Sequence, residues 1–187
     1  IDYLRIKPSS VANPRTEGQV DQRSKFGTVL RFLQPLTEFL RVGFKLYSKQ
    51  MTQFNAAMSY NLNNGITGAY PNFMIDYATA LVSRGNLKGA DDGAATSPSA
   101  GNVEVTWTDN SGRGSAKVTD KSLIVLLNTI RGEAVFTTSG PERSAGIATI
   151  PVANEYSGED VEVFLGFVSE DGNKVANSVY LGTVTIA

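Results

Sequence analysis

The chain has 187 residues and a formal net charge of −1, a length that suits one large domain or two small ones. Hydrophobic residues make up 41% of it and charged residues 19%, so it can bury a core and is not globally disordered. It holds neither cysteine nor histidine. That excludes disulfides, thiolate chemistry, cysteine zinc sites and every catalytic pair built on an imidazole.

No apolar run approaches the roughly 18 residues of a transmembrane helix. The densest stretch, Leu123-Ile124-Val125-Leu126-Leu127, is strand length, so no membrane span is expected. Absence of cysteine says little about compartment, because an oxidising environment permits disulfides without requiring them. The chain opens at Ile1 rather than at Met, which raises the expectation of an upstream segment that was cleaved or trimmed. The small net charge hides an asymmetry. Residues 1–60 carry nine basic side chains against four acids, and residues 61–187 carry eight against fourteen. Such a split fits a basic arm on an acidic body, or complementary surfaces on neighbouring copies. It equally fits an amphipathic helix with a solvated outer face.

In chain order, Ile1–Lys7 alternates loosely and reads as a short strand stopped by Pro8. Asn13-Pro14 is a helix start signal, since Asn caps and Pro fits the first turn. Phe26, Val29, Leu30 and Leu33 then recur at helical spacing until Pro35, which lacks a donor and ends or kinks the helix. Leu36, Phe39, Leu40 and Gly43 continue the period. Met51, Phe54, Ala57, Met58 and Leu62 form a third helical set, stopped by Asn63-Asn64-Gly65.

The pattern changes after Gly65. Phe73–Val82 is rich in β-branched and aromatic residues, and residues 88–101 are small, polar and turn-forming, a loop or linker. Val103, Val105 and Trp107 alternate with polar residues, as in a strand with one buried face. Further strands are expected at 122–130, 134–138, 147–152, 161–167 and 175–186, the last two joined through the turn Glu170-Asp171-Gly172-Asn173. Short strands at this density predict an Ig-like or fibronectin-like sandwich with Trp107 in its core. The fold expected is therefore α+β: a helical region with its flanking strands over 1–87, a linker over 88–101, and an antiparallel β-sandwich over 102–187.

Few of the residues carry a recognisable chemical motif. No phosphate loop or dinucleotide-binding glycine pattern is present, and Gly112-Arg113-Gly114 is a turn. The loop carboxylates Asp91, Asp92, Asp109, Asp120, Glu159 and Asp160 match no Ca²⁺ spacing and read as solvated turn residues. A glycosidase-type carboxylate pair needs only two acids, but nothing singles out a pair. No enzyme activity, cofactor or metal is expected. Arg15, Arg23, Lys25 and Arg31 do not form one stripe and the isoelectric point is about 5.5, so nucleic acid is not an expected partner.

Lys7-Pro8-Ser9-Ser10-Val11-Ala12-Asn13-Pro14-Arg15-Thr16, Gln19, Gln22-Arg23, Lys25-Phe26, Phe32-Leu33, Arg41-Val42-Gly43-Phe44, Ala80–Gly85, Trp107-Thr108-Asp109 and Ser178–Gly182 together resemble an uncharacterised protein family of Bacteroidota, a domain of unknown function. The resemblance spans nearly the whole chain and implies no activity and no catalytic residues. Family members open on a Gly-rich segment absent here, which implies a processed or trimmed N-terminus. Asn13–Thr16 with Gln19, Gln22, Arg23 and Phe26 is also similar to openings of phage-related structural proteins.

These readings converge on a non-enzymatic, self-assembling structural subunit, a homo-oligomer or homopolymer forming an extracellular filament or cell-surface structure. A terminal strand, Ile1–Lys7 or Gly182–Ala187, would pair with the edge of a neighbour's sandwich. The candidate assembly residues are Ile1, Tyr3, Leu4, Ile6, Arg15, Arg23, Lys25 and Arg31. One alternative is a phage or prophage virion protein assembled inside the cell. Another is a carbohydrate- or protein-binding module presenting Tyr70, Phe73, Tyr77, Tyr156 and Tyr180, aromatics that otherwise read as core packing.

Overall fold

Among the described residues, three α-helices come first and seven strands of a sandwich come last, with a short two-stranded ribbon between them. The computed structural model describes residues 15–187. Helix α1 spans Glu17–Leu33, α2 Thr37–Gly43 and α3 Gln53–Asn64. Strands β1 (Ile66–Thr67) and β2 (Met74–Ile75) form the ribbon. The sandwich strands are β3 (Asp91–Ser99), β4 (Asn102–Thr108), β5 (Lys121–Asn128), β6 (Glu133–Thr137), β7 (Ile147–Pro151), β8 (Asp160–Val168) and β9 (Val179–Thr185).

The helix breaks follow the expected chemistry. Pro35 sits in a single 3-10 turn, Gln34–Leu36, that redirects the chain from α1 into α2. Thr52 caps α3, its Oγ1 accepting the Asn55 N–H at 3.2 Å. Helix α1 starts behind Thr16, whose backbone is extended. The Asn13-Pro14 start signal and the strand expected at Ile1–Lys7 lie outside the described residues.

The sandwich strands pair antiparallel in two sheets, ordered β3-β4-β7 and β6-β5-β8-β9. The chain crosses between the sheets after β4, β6 and β7, giving the fibronectin-like arrangement expected from the sequence. Val103, Val105 and Trp107 of the first sheet face Ile124, Leu126, Val163, Leu165 and Phe167 of the second. Trp107 and Phe167 meet edge to face with centroids 5.6 Å apart.

The helices cover the other face of the four-stranded sheet. Val29, Phe32, Leu33, Phe39 and Leu40 pack on Leu123, Val125, Leu127 and Phe164, and Phe32 and Phe164 rings lie 6.1 Å apart. The molecule is thus layered helix, sheet, sheet. This explains the unbroken apolar run of β5: a strand buried on both faces has no polar alternation. Strand β8 is likewise buried on both sides along Val163–Val168, where the sequence pattern implied one buried face.

Two segments differ from the sequence reading. Residues 88–101 hold β3, the first strand of the sandwich. Its side chains are small and polar and carry little apolar signal, but its backbone pairs with β4 from Asp91↔Thr108 to Ser99↔Asn102. Leu87, just before it, is buried in the sandwich core. Residues 73–82 form only the two-residue β2, because the N–H groups of Thr79 and Ala80 turn back onto the Asp76 carbonyl and side chains take the backbone groups from Leu81 onward. Asn61 Oδ1 accepts the Leu81 N–H at 3.0 Å and its Nδ2 donates to the Leu81 carbonyl at 2.9 Å. Ser178 Oγ accepts the N–H groups of Val82 and Ser83 at 3.0 and 3.4 Å.

Candidate functional site

Arg15, Arg23, Lys25 and Arg31, the described basic candidates, do not come together in one patch. On a helix turning about 100° per residue, Arg23 and Lys25 project to nearly opposite sides of α1. Lys25 pairs with Asp21 at 3.0 Å and lies 4.9 Å over the Phe73 ring. Arg31 borders a shallow cleft beside Phe32, Tyr77 and Ile130, and Arg15 lies at the start of α1 near Tyr70. Arg23 is exposed. Ile1, Tyr3, Leu4 and Ile6 lie outside the described residues.

Among the described residues, ion pairs stay within each part of the chain. Lys25–Asp21 and Arg41–Glu38 join residues of the helical region. Lys88–Asp91, Lys121–Glu142, Arg131–Glu159 and Arg143–Asp120 join residues of the sandwich. These contacts do not neutralise the helical region's positive excess against the sandwich's negative one.

The aromatic candidates divide. Tyr70 is exposed, while Tyr156 is buried. Tyr77 stacks on Tyr180 at 5.5 Å, and both rings pack near Phe164. Burial pushes the Tyr77 hydroxyl up to about 12, with the neighbouring Glu162 carboxylate adding to it. Four of the five therefore belong to packed or half-buried surroundings rather than to one exposed cluster.

Among the loop carboxylates, Asp120 is no solvated turn residue. It is fully buried, and Oδ2 accepts the Arg143 Nε–H at 3.1 Å and the Lys117 N–H at 2.8 Å. Arg143 donates further to Asn110 Oδ1 at 2.6 Å and to the Lys88 and Gly89 carbonyls at 2.8 and 3.2 Å. Its guanidinium lies 3.8 Å over the Phe167 ring. Burial draws the Arg143 pKa down, against the pull of Asp120. This knot clamps three loops at one end of the sandwich and leaves no open face for a ligand. Arg143 had no signal in the sequence, since a lone arginine in a Ser/Gly-rich loop reads as surface. Among the described residues, no group of three acidic side chains is placed to hold a metal ion.

The sheet edges are the remaining candidates. Strand β3 is interrupted by register shifts, a left-handed backbone at Asp92 and Pro98. Ser97 Oγ of β3 also accepts the Ala187 N–H at 3.0 Å. Strand β9 carries a register shift against β8 and a left-handed Gly182, and β6 is backed by Phe39 against Phe136. Bulges, prolines and covering elements of this kind block edge pairing. Strand β7 is different. It pairs with β4 in unbroken register, and Trp107 N–H to Gly146 and Val152 N–H to Gly101 bracket that ladder. Alternation then directs Ala148 and Ile150 to β4 and turns the backbone groups of Ile147 and Thr149 outward. Ile147 is 42% exposed. The edge ends at Pro151, which keeps its carbonyl and lacks a donor.

The C-terminal strand candidate is already occupied. Gly182–Thr185 belongs to β9, and Val184 and Ile186 are buried in the chain's own sandwich.

The pattern of a family of unknown function, DUF6266, matches residues 1–182. The chain belongs to that family. Several segments that carry the resemblance meet in space, with the Arg84 N–H donating to the Gly43 carbonyl at 2.9 Å and the Ser178 N–H to the Ser83 carbonyl at 3.0 Å. A search of curated protein sequences finds no match. Among solved structures, the chain is similar to the fn3 domain of human collagen alpha-1(XX) chain, known from solution. That match has 11% identity and a TM-score of 0.41, and covers 56% of this chain and 90% of that one. No helix among the described residues is long and apolar enough to cross a membrane.

Proposed function

We propose that this DUF6266 chain is a non-enzymatic structural subunit that assembles with copies of itself outside the cell, by addition of a strand to the edge of β7. The observation that carries this reading is the outward-turned backbone of Ile147 and Thr149 on a straight, unbulged edge. The strand Ile1–Lys7 of a second copy is the proposed donor. Its main-chain groups would supply the ladder, and its apolar residues Leu4 and Ile6 share one side of an extended chain and would lie beside Ala148 and Ile150. Opposite net charges on the helical region and the sandwich favour a head-to-tail arrangement, and a head-to-tail contact that does not close generates a filament.

Light scattering and electron microscopy of the full chain test this. Concentration-dependent oligomers or filaments are expected, lost on deletion of residues 1–7 and lost in Thr149→Pro. A monomer at every concentration overturns the proposal, as does undiminished assembly in both variants.

A further inference from the structure

Arg84 presents a guanidinium with no partner of opposite charge among the described residues. Its Cζ lies 4.3 Å over the Tyr47 ring and 4.8 Å over the Tyr60 ring. Arg41, Arg131 and Arg143 differ from it, each having a carboxylate within 3.1 Å. For Arg84, the two rings take the place of the carboxylate by covering the guanidinium with π-density, and its N–H fork stays unmatched.

The position of that fork is set by the backbone below it. The Arg84 N–H donates to the Gly43 carbonyl at 2.9 Å, and the Gly85 N–H donates to Asn177 Oδ1 at 3.0 Å. A Cβ at Gly85 would lie 2.0 Å from the Val175 carbonyl oxygen, and one at Gly43 2.4 Å from that of Val82. The segment carrying Arg84 is therefore packed closely between α2 and the hairpin that joins β8 to β9. Beside the guanidinium is an open cleft of about 340 Å³, lined also by Ser59, Asn63 and Asn64. Each of these asparagines spends an Nδ2 donor on a helix carbonyl, at 2.7 and 2.8 Å, which orients its amide.

We propose that this cleft binds the carboxylate of a small ligand, with Arg84 as the bidentate anchor. A carboxylate is planar and meets a guanidinium fork to fork, in the plane of the guanidinium. With ring centroids 4.3 and 4.8 Å from Cζ, a planar carboxylate needs less room beside Arg84 than the out-of-plane oxygens of a tetrahedral phosphate. The cleft volume lies at the small end of ligand sites, the size of an acidic monosaccharide or a chain-terminal residue. This inference is independent of strand addition at β7.

The test is an amide-resolved NMR titration of the full chain with D-glucuronate and with N-acetylglycine, using D-glucose and inorganic phosphate as comparisons. Saturable shifts confined to residues 59–64 and 84–85 are expected with one or both carboxylates, and none with glucose. Response to glucuronate alone assigns a sugar acid, and response to N-acetylglycine alone assigns a chain terminus. Arg84→Lys, which keeps the charge and loses the fork, should weaken binding roughly tenfold, and Arg84→Gln should abolish it. Spectral dispersion reports whether Arg84→Gln is folded, and Arg84→Lys serves where it is not. Absence of saturable shifts with both carboxylates overturns the proposal. So does unchanged binding in the variants, or phosphate bound as tightly as either carboxylate.

Discussion

Arg143 Nε donates to Asp120 Oδ2 over 3.1 Å, and neither side chain reaches solvent. Removing one partner of such a pair strands the other charge in the interior, at a cost of about 3–5 kcal/mol. Asp120→Ala is expected to lose roughly that much in urea unfolding, because it leaves Arg143 over Phe167 with neutral acceptors only. The double variant Asp120→Ala with Arg143→Met should lose less than the two single changes added together. Strict additivity would show that the two residues act separately.

Thr149→Pro removes an N–H that turns away from β4 and so breaks no ladder bond among the described residues. The unfolding midpoint of the monomer should move little, while the sedimentation profile shifts to a single light species. The same change placed at Ala148, whose N–H faces β4, should destabilise the fold by roughly 3 kcal/mol. The contrast between the neighbouring positions separates loss of assembly from loss of structure.

Asn61 joins α3 to the chain that crosses the sheet, bonding both the N–H and the carbonyl of Leu81 while fully buried. Asn61→Leu leaves those backbone groups without partners or water. A loss of about 2 kcal/mol or more is expected from chemical denaturation, and amide exchange at Leu81 should accelerate.

Asp171 organises the hairpin between β8 and β9. Ser169 Oγ and the N–H and side chain of Asn173 donate to it, and these bonds hold its carboxyl down at about 2, below its ordinary value of 3.8. A folded-state value below the unfolded one stabilises the hairpin above pH ~4. That contribution fades as pH falls toward 2. A carboxyl-carbon NMR titration should place the Asp171 midpoint near the lower value, and Ser169→Ala should move it up.

Gly85→Ala and Gly18→Ala should act in opposite directions. The first drives a methyl group to 2.0 Å from the Val175 carbonyl, and the second meets nothing within 4 Å. Thermal unfolding should show a loss of about 1–3 kcal/mol for Gly85→Ala. Gly18→Ala, on the exposed first turn of α1, should gain up to about 1 kcal/mol.

Local elements were legible from the chain alone. Helical spacing, the stop at Pro35 and the Asn-Asn-Gly end of α3 are short-range signals, and so is the alternation of Val103, Val105 and Trp107, because each depends on neighbours a few residues away. Tertiary structure decided what distant segments do to one another. It placed the helices on the outer face of the four-stranded sheet, so that β5 and β8 are buried on both sides. It made Asp91–Ser99 a strand, since backbone pairing with β4 supplies what its small polar side chains do not advertise. It also put Asp120 under Arg143 across 23 residues of chain, brought Arg84 beneath Tyr47 and Tyr60, and, among the described residues, left β7 at the edge of its sheet. None of these has a local sequence signature. A charge is buried, stacked or solvated according to what the rest of the chain packs against it, and that is settled only when the layers close.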